Sequence, residues 1–158
     1  MRWFFALALA GSVVGCGSGS RPGEARGTGP ESVSDETTAC IDAHPAGEPF
    51  DVGQADTSDD PQPTLETFQS QCRAAGGSGC DGAFISREAA RCIAQNEKLE
   101  AGLEPWAIGM WYEQSYRRVG WEIQNVLVDQ GSTYQGTTLT VDAVSGRVLG
   151  RSSWSTTQ

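Results

Sequence analysis

From Trp106 to Gly150 the apolar residues recur at every second position, and that alternation limits the folds open to this chain more than any other feature. In Trp106–Glu113, Ile108, Met110 and Tyr112 share one face. In Val119–Val128 the matching set is Val119, Trp121, Ile123 and Leu127, with the polar Asn125 as an exception. Thr137–Ala143 points Leu139, Val141 and Ala143 one way and Thr138, Thr140 and Asp142 the other. A period of two belongs to strands with one covered and one open face. The connectors "QSYRR", "DQGSTYQG" and "VSG" are short enough for hairpins. In the last, Gly146 suits a positive φ and Asp142 can bond the turn amides. A short strand, Arg147–Gly150, completes an antiparallel sheet of three or four strands.

A sheet covered on one face needs helices, and two are legible upstream. Thr64–Ala75 has a capping threonine, Glu66 in the first turn, and Leu65, Phe68 and Cys72 at helical spacing before Gly76-Gly77. Ser86 opens "SREAARCIAQNEK", in which Ala89, Cys92 and Ile93 form the buried stripe, joined by Ala90 and Ala94. So many alanines imply close approach to the sheet. The predicted fold class is α+β, one helix lying across an antiparallel sheet, preceded by a disulfide-bearing helical segment.

The chain starts differently. Arg2 is followed by the uncharged stretch Trp3–Gly15, 13 residues long, whereas a bilayer-spanning helix needs about 20. That length fits the apolar region of a secretory signal. The next residues, Val13-Val14-Gly15-Cys16, resemble a bacterial lipobox. The resemblance implies a leader of residues 1–15, diacylglycerol on the Cys16 thiol and an acylated new amino terminus, since several acyl chains anchor a protein stably where one does not. Gly17 rather than Asp after the lipidated cysteine implies the outer membrane, facing the periplasm or the cell surface. Residues 16–38 carry a single large apolar side chain, Val33, too little to offset ordering entropy, and read as a tether. Residues 39–83 read as an acidic, disulfide-bearing segment with one short helix, and residues 84–154 as the sheet-bearing domain.

With Cys16 assigned to lipid, Cys40, Cys72, Cys80 and Cys92 remain, and an even number in an exported chain reads as two disulfides. Three pairings are open. Cys72–Cys80 across the Gly-rich loop, with Cys40–Cys92 tying the acidic segment to a helix, is the favoured one. The spacing Cys40-x3-His44 has no C-x-x-C partner and does not make a zinc site.

Charge excludes one class of partner. Residues 17–104 hold 16 acids and 6 bases, whereas residues 105–158 hold 4 of each. A chain of net charge −9 whose only adjacent basic pair is Arg117-Arg118 does not suit nucleic acid, where affinity comes from neutralising phosphates. The cluster Asp56, Asp59 and Asp60 lacks the order of a calcium loop. His44 is the only histidine and no nucleophile elbow accompanies it. Glu113 and Glu122, on neighbouring strands, are the remaining candidate carboxylate pair, for a glycan hydrolase. The aromatic set Trp106, Trp111, Tyr112, Tyr116, Trp121, Tyr134 and Trp154 is the stronger feature: Trp111 and Tyr112 are consecutive, so only one can face the core.

The helix from Ile85-Ser86-Arg87-Glu88-Ala89-Ala90 to Ile93-Ala94, then Val119-Gly120-Trp121-Glu122-Ile123, then the closing Val141-Asp142-Ala143-Val144-Ser145-Gly146-Arg147-Val148-Leu149, together resemble a PepSY domain. The resemblance spans about Phe84 to Gly150 and does not extend to the cysteine in the helix or to the segment before it. It implies a non-catalytic envelope protein that binds or restrains a protein partner such as a peptidase. It carries no catalytic residue, cofactor or metal. A passive structural lipoprotein is the alternative.

Overall fold

The computed structural model describes residues 33–53 and 63–157. Three helices, α1 (Asp35–Ala43), α2 (Leu65–Ala74) and α3 (Arg87–Asn96), precede four strands, β1 (Ala107–Glu113), β2 (Arg118–Asp129), β3 (Thr133–Asp142) and β4 (Val148–Thr157). The sheet is antiparallel with spatial order β1-β2-β3-β4, so each strand pairs with its neighbour in sequence. The α+β architecture and its antiparallel sheet are therefore as the alternation requires.

Registers follow the side-chain pattern. Met110 lies opposite Trp121, which lies opposite Val141; Ile108 lies opposite Ile123, which lies opposite Leu139. These six side chains are all buried and form the floor of the core. Asn125, the polar exception, is buried too, and both ends of its amide are bonded. Its Nδ2 donates to the Glu100 carbonyl at 2.8 Å and its Oδ1 accepts from the Thr137 amide at 2.7 Å. That satisfies a group whose burial otherwise costs free energy. Leu127 is only half-buried, because the β2–β3 register shifts between Val126 and Val128.

α3 is joined to the centre of the sheet at its entry. The Ser86 hydroxyl accepts from the Ala89 amide, the Ile85 amide donates to the Ala143 carbonyl at 2.8 Å, and the Trp121 indole donates to the Ile85 carbonyl at 3.1 Å. Ala89, Ala90, Ile93 and Ala94 are buried, and the small side chains let the helix lie close to the strands. In α2, Thr64 and Thr67 form a reciprocal capping box, and Phe68 and Cys72 face inward.

Three boundaries differ from the sequence reading. The end of the segment read as a tether, residues 16–38, is helical: Ser34 accepts from the Thr37 amide and starts α1, with Asp35 and Glu36 in its first turn. The segment 39–83 therefore holds most of α1 as well as α2. The cap signal was present, but α1 buries only Thr37 and Cys40, so no apolar stripe announced a helix. β4 runs to Thr157 rather than stopping at Gly150, three residues beyond the domain limit of 154. β3 likewise starts at Thr133, not Thr137. The β4 extension is rich in Ser and Thr and the β3 extension reads Thr-Tyr-Gln-Gly; cross-strand pairing rather than apolar alternation defines both.

Candidate binding surfaces

The β3–β4 turn is densely hydrogen-bonded. Asp142 has a side chain only 2 % exposed. Its Oδ1 accepts from the Val144 amide, the Ser145 amide and the Ser145 hydroxyl at 2.7–3.1 Å, and its Oδ2 accepts from Arg118 Nη1 at 2.8 Å. Burial alone pushes the carboxyl upward. The Arg118 hydrogen bond, the Ser145 amide and hydroxyl, and the Arg118 charge outweigh it and hold the group below the usual carboxylate value. Gly146 follows at φ +72°, and a Cβ there would lie 2.8 Å from Thr37 Cγ2 and 3.1 Å from both Ile41 Cδ1 and Ile93 Cδ1. The turn thus inserts between α1 and α3, and glycine is required by conformation and by space.

Both disulfides have ordinary reach: Cys40–Cys92 with Cα atoms 5.7 Å apart, and Cys72–Cys80 with 5.5 Å. The first fastens α1 to α3 beside that turn. The second closes the loop after α2, where Arg73 and Asp81 also pair. Cys16 lies outside the described residues, as do Asp56, Asp59 and Asp60. His44 is exposed and ends α1, and its carbonyl accepts from the Ser86 hydroxyl at 2.7 Å. Among the described residues no group of three or more His, Cys, Asp or Glu is placed to hold a metal ion, and no helix is long and apolar enough to cross a membrane.

The carboxylates do not meet as a pair. Glu113 lies opposite Arg118 on β2, four positions from Glu122, which lies opposite Gly109. At about 3.3 Å per residue that offset is about 13 Å along the strand. Each bonds locally instead, Glu113 to the Ser115 amide and Glu122 to the Gln124 side chain.

The aromatics divide by face. Trp121 is fully buried. Phe50 stacks on it at 6.2 Å between ring centres and meets Phe84 edge-on at 6.2 Å. Sequence reasoning missed Phe50, though an isolated Phe and Val52 amid polar residues were a signal for docking. Trp106 is half-buried and its indole donates to the Glu100 carbonyl. Trp154 lies over Gly136 on the face away from the helices; a Cβ at 136 would fall 2.6 Å from its ring.

Of the consecutive pair, Tyr112 is half-buried on the helix side and Trp111 is 59 % exposed. Trp111 forms one lip of an open groove of about 670 Å³ between α2 and β1, with Phe68, Ala74, Ala75 and Tyr112 among its walls. Its ring also borders the shallow depression holding Glu113, Gly120 and Glu122 on the outer face. Tyr116, 44 % exposed, lies over Gly150 of β4.

No protein-family model matches this chain, and neither the curated proteins nor the solved structures provide a match.

Proposed function

We propose that the chain is a non-catalytic cell-envelope lipoprotein, anchored through lipid on Cys16, whose PepSY-like domain binds a protein partner such as a peptidase. The anchor rests on the resemblance of Val13-Val14-Gly15-Cys16 to a lipobox. The domain assignment rests on the helix, the strands and the closing Val141–Leu149 motif. The observation that carries the binding role is the exposed Trp111 at the lip of the α2–β1 groove. Aromatic side chains beside apolar walls are what protein interfaces enrich, and a buried Trp anchor is the commonest hot spot. The hydrolase reading loses support because Glu113 and Glu122 do not face each other.

Crosslinking followed by recovery of the chain from solubilised envelope tests this. A defined protein should be retained by wild type, and Trp111→Ala should lower its affinity by about 30-fold, equivalent to about 2 kcal/mol. The stability of that variant should change by less than about 0.5 kcal/mol. Recovery of the bait alone, or equal recovery with Trp111→Ala, contradicts the reading.

A further inference from the structure

The two edges of the sheet are finished differently. On the β1 edge, the Met110 amide donates to the Val52 carbonyl at 2.8 Å and Gly53 bridges to Gly109. The chain is pressed so close that a Cβ on Gly53 would collide with the Ile108 carbonyl. On the β4 edge nothing comparable occurs among the described residues: β3 is the only strand paired with β4.

Exposed edges are normally protected by shortness, proline, lysine, inward charges or a covering element. β4 has few of these. It is ten residues long and contains no Pro, Lys, Asp or Glu. Its one charge, Arg151, donates to the Glu97 carbonyl instead of standing against an incoming strand. The irregularity in its pairing lies at its start, between Thr140 and Val141 of β3. Beyond Arg151 the sequence Ser152–Thr157, "SSWSTT", is uncharged. On the helix side an open groove of about 370 Å³ runs beside the strand, lined by Leu99, Leu127, Thr137 and Ser153 with Lys98 and Glu100 also at its wall.

We propose that β4 pairs antiparallel with β4 of a second copy of this chain, joining two sheets into one of eight strands. Since the β1 edge is blocked, addition through β4 closes at two copies and cannot propagate into a fibre. Charge allows the approach. Residues 105–158 carry equal numbers of acids and bases, and the acidic excess belongs to residues 17–104. In any register centred between Ser152 and Trp154, each Arg151 faces an uncharged residue of the other copy rather than its Arg151. The Ser and Thr side chains then meet across the pair, which supports strand association.

Sedimentation equilibrium of the full chain in detergent micelles tests the proposal. Wild type should give the mass of two chains. Ser153→Lys/Ser155→Lys and Ser153→Glu/Ser155→Glu should each give one, with near-ultraviolet circular dichroism unchanged, and mixing the two variants should restore the two-chain mass. A wild type that sediments as one chain overturns the proposal, including one that recruits an unrelated extended peptide to β4. A two-chain mass that persists in both variants overturns it as well.

Discussion

The helical cover, residues 33–104, and the sheet, residues 105–157, are held by different means. The sheet contains no cysteine. Its strands pair with sequence neighbours, and its faces are set by alternation. The cover holds all four disulfide cysteines. Its helices are 9, 10 and 10 residues long, a length at which helices are marginal by themselves. α1 buries only Thr37 and Cys40, and α2 only Phe68 and Cys72. Each thus buries one residue besides its cysteine. α3, by contrast, buries four side chains and is bonded at its entry to the sheet centre. α1, which has no apolar stripe, is instead joined covalently to α3.

The largest loss of stability should come from the sheet. Trp121→Ala removes the largest fully buried side chain and the indole bond to Ile85. Denaturant titration should show a loss of about 3–5 kcal/mol, the range for large aromatic truncations. A loss under about 1 kcal/mol would mean the core lies elsewhere.

The next largest effects should come from the two disulfides. Cys40–Cys92 spans 52 residues and Cys72–Cys80 spans 8. Loop-entropy estimates give about 4 kcal/mol for the first and about 2.5 kcal/mol for the second. Replacing each pair by alanine and comparing unfolding midpoints under oxidising conditions should therefore rank Cys40/Cys92 as the costlier removal. The reverse order would contradict the role assigned to the α1–α3 link.

A smaller effect belongs to the turn between the two regions. Asp142→Ala leaves the Val144 and Ser145 amides without their acceptor and Arg118 without its partner, at a cost of about 2–3 kcal/mol. Because the folded carboxyl is held below its unfolded value, its contribution is fully present above the unfolded value of about 3.9. The contribution disappears as pH falls through the folded value. The difference in thermal midpoint between wild type and Asp142→Asn should thus be constant near neutrality and shrink below about pH 4. A difference that grows on acidification would reverse the assigned sign.

How much of this was legible in the sequence follows the same division. Inward residues of β1, β2 and β3, the caps at Thr64 and Ser86, and the Asp142–Gly146 turn all have local signatures and were read correctly. Of the three cysteine pairings open in the sequence, the structure has the one favoured there. What escaped reading depends on contacts distant in sequence. α1 has a cap but no stripe, and only contact with α3 and Gly146 explains Thr37. Phe50 gains meaning from Trp121, 71 positions later. The far half of β4 is defined by β3 alone. At the groove, the adjacency of Trp111 and Tyr112 announced that one ring faces outward, but α2 as the opposite wall required the fold.

Amide hydrogen exchange with and without reductant reads the cover and the sheet in one experiment. On reduction, the amides of Thr38 and the rest of α1 should lose protection while those of Trp121, Ile123 and Leu139 keep it. Equal loss across α1 and the central strands, or unchanged protection in α1, would contradict an α1 held covalently to α3 above a sheet that holds itself.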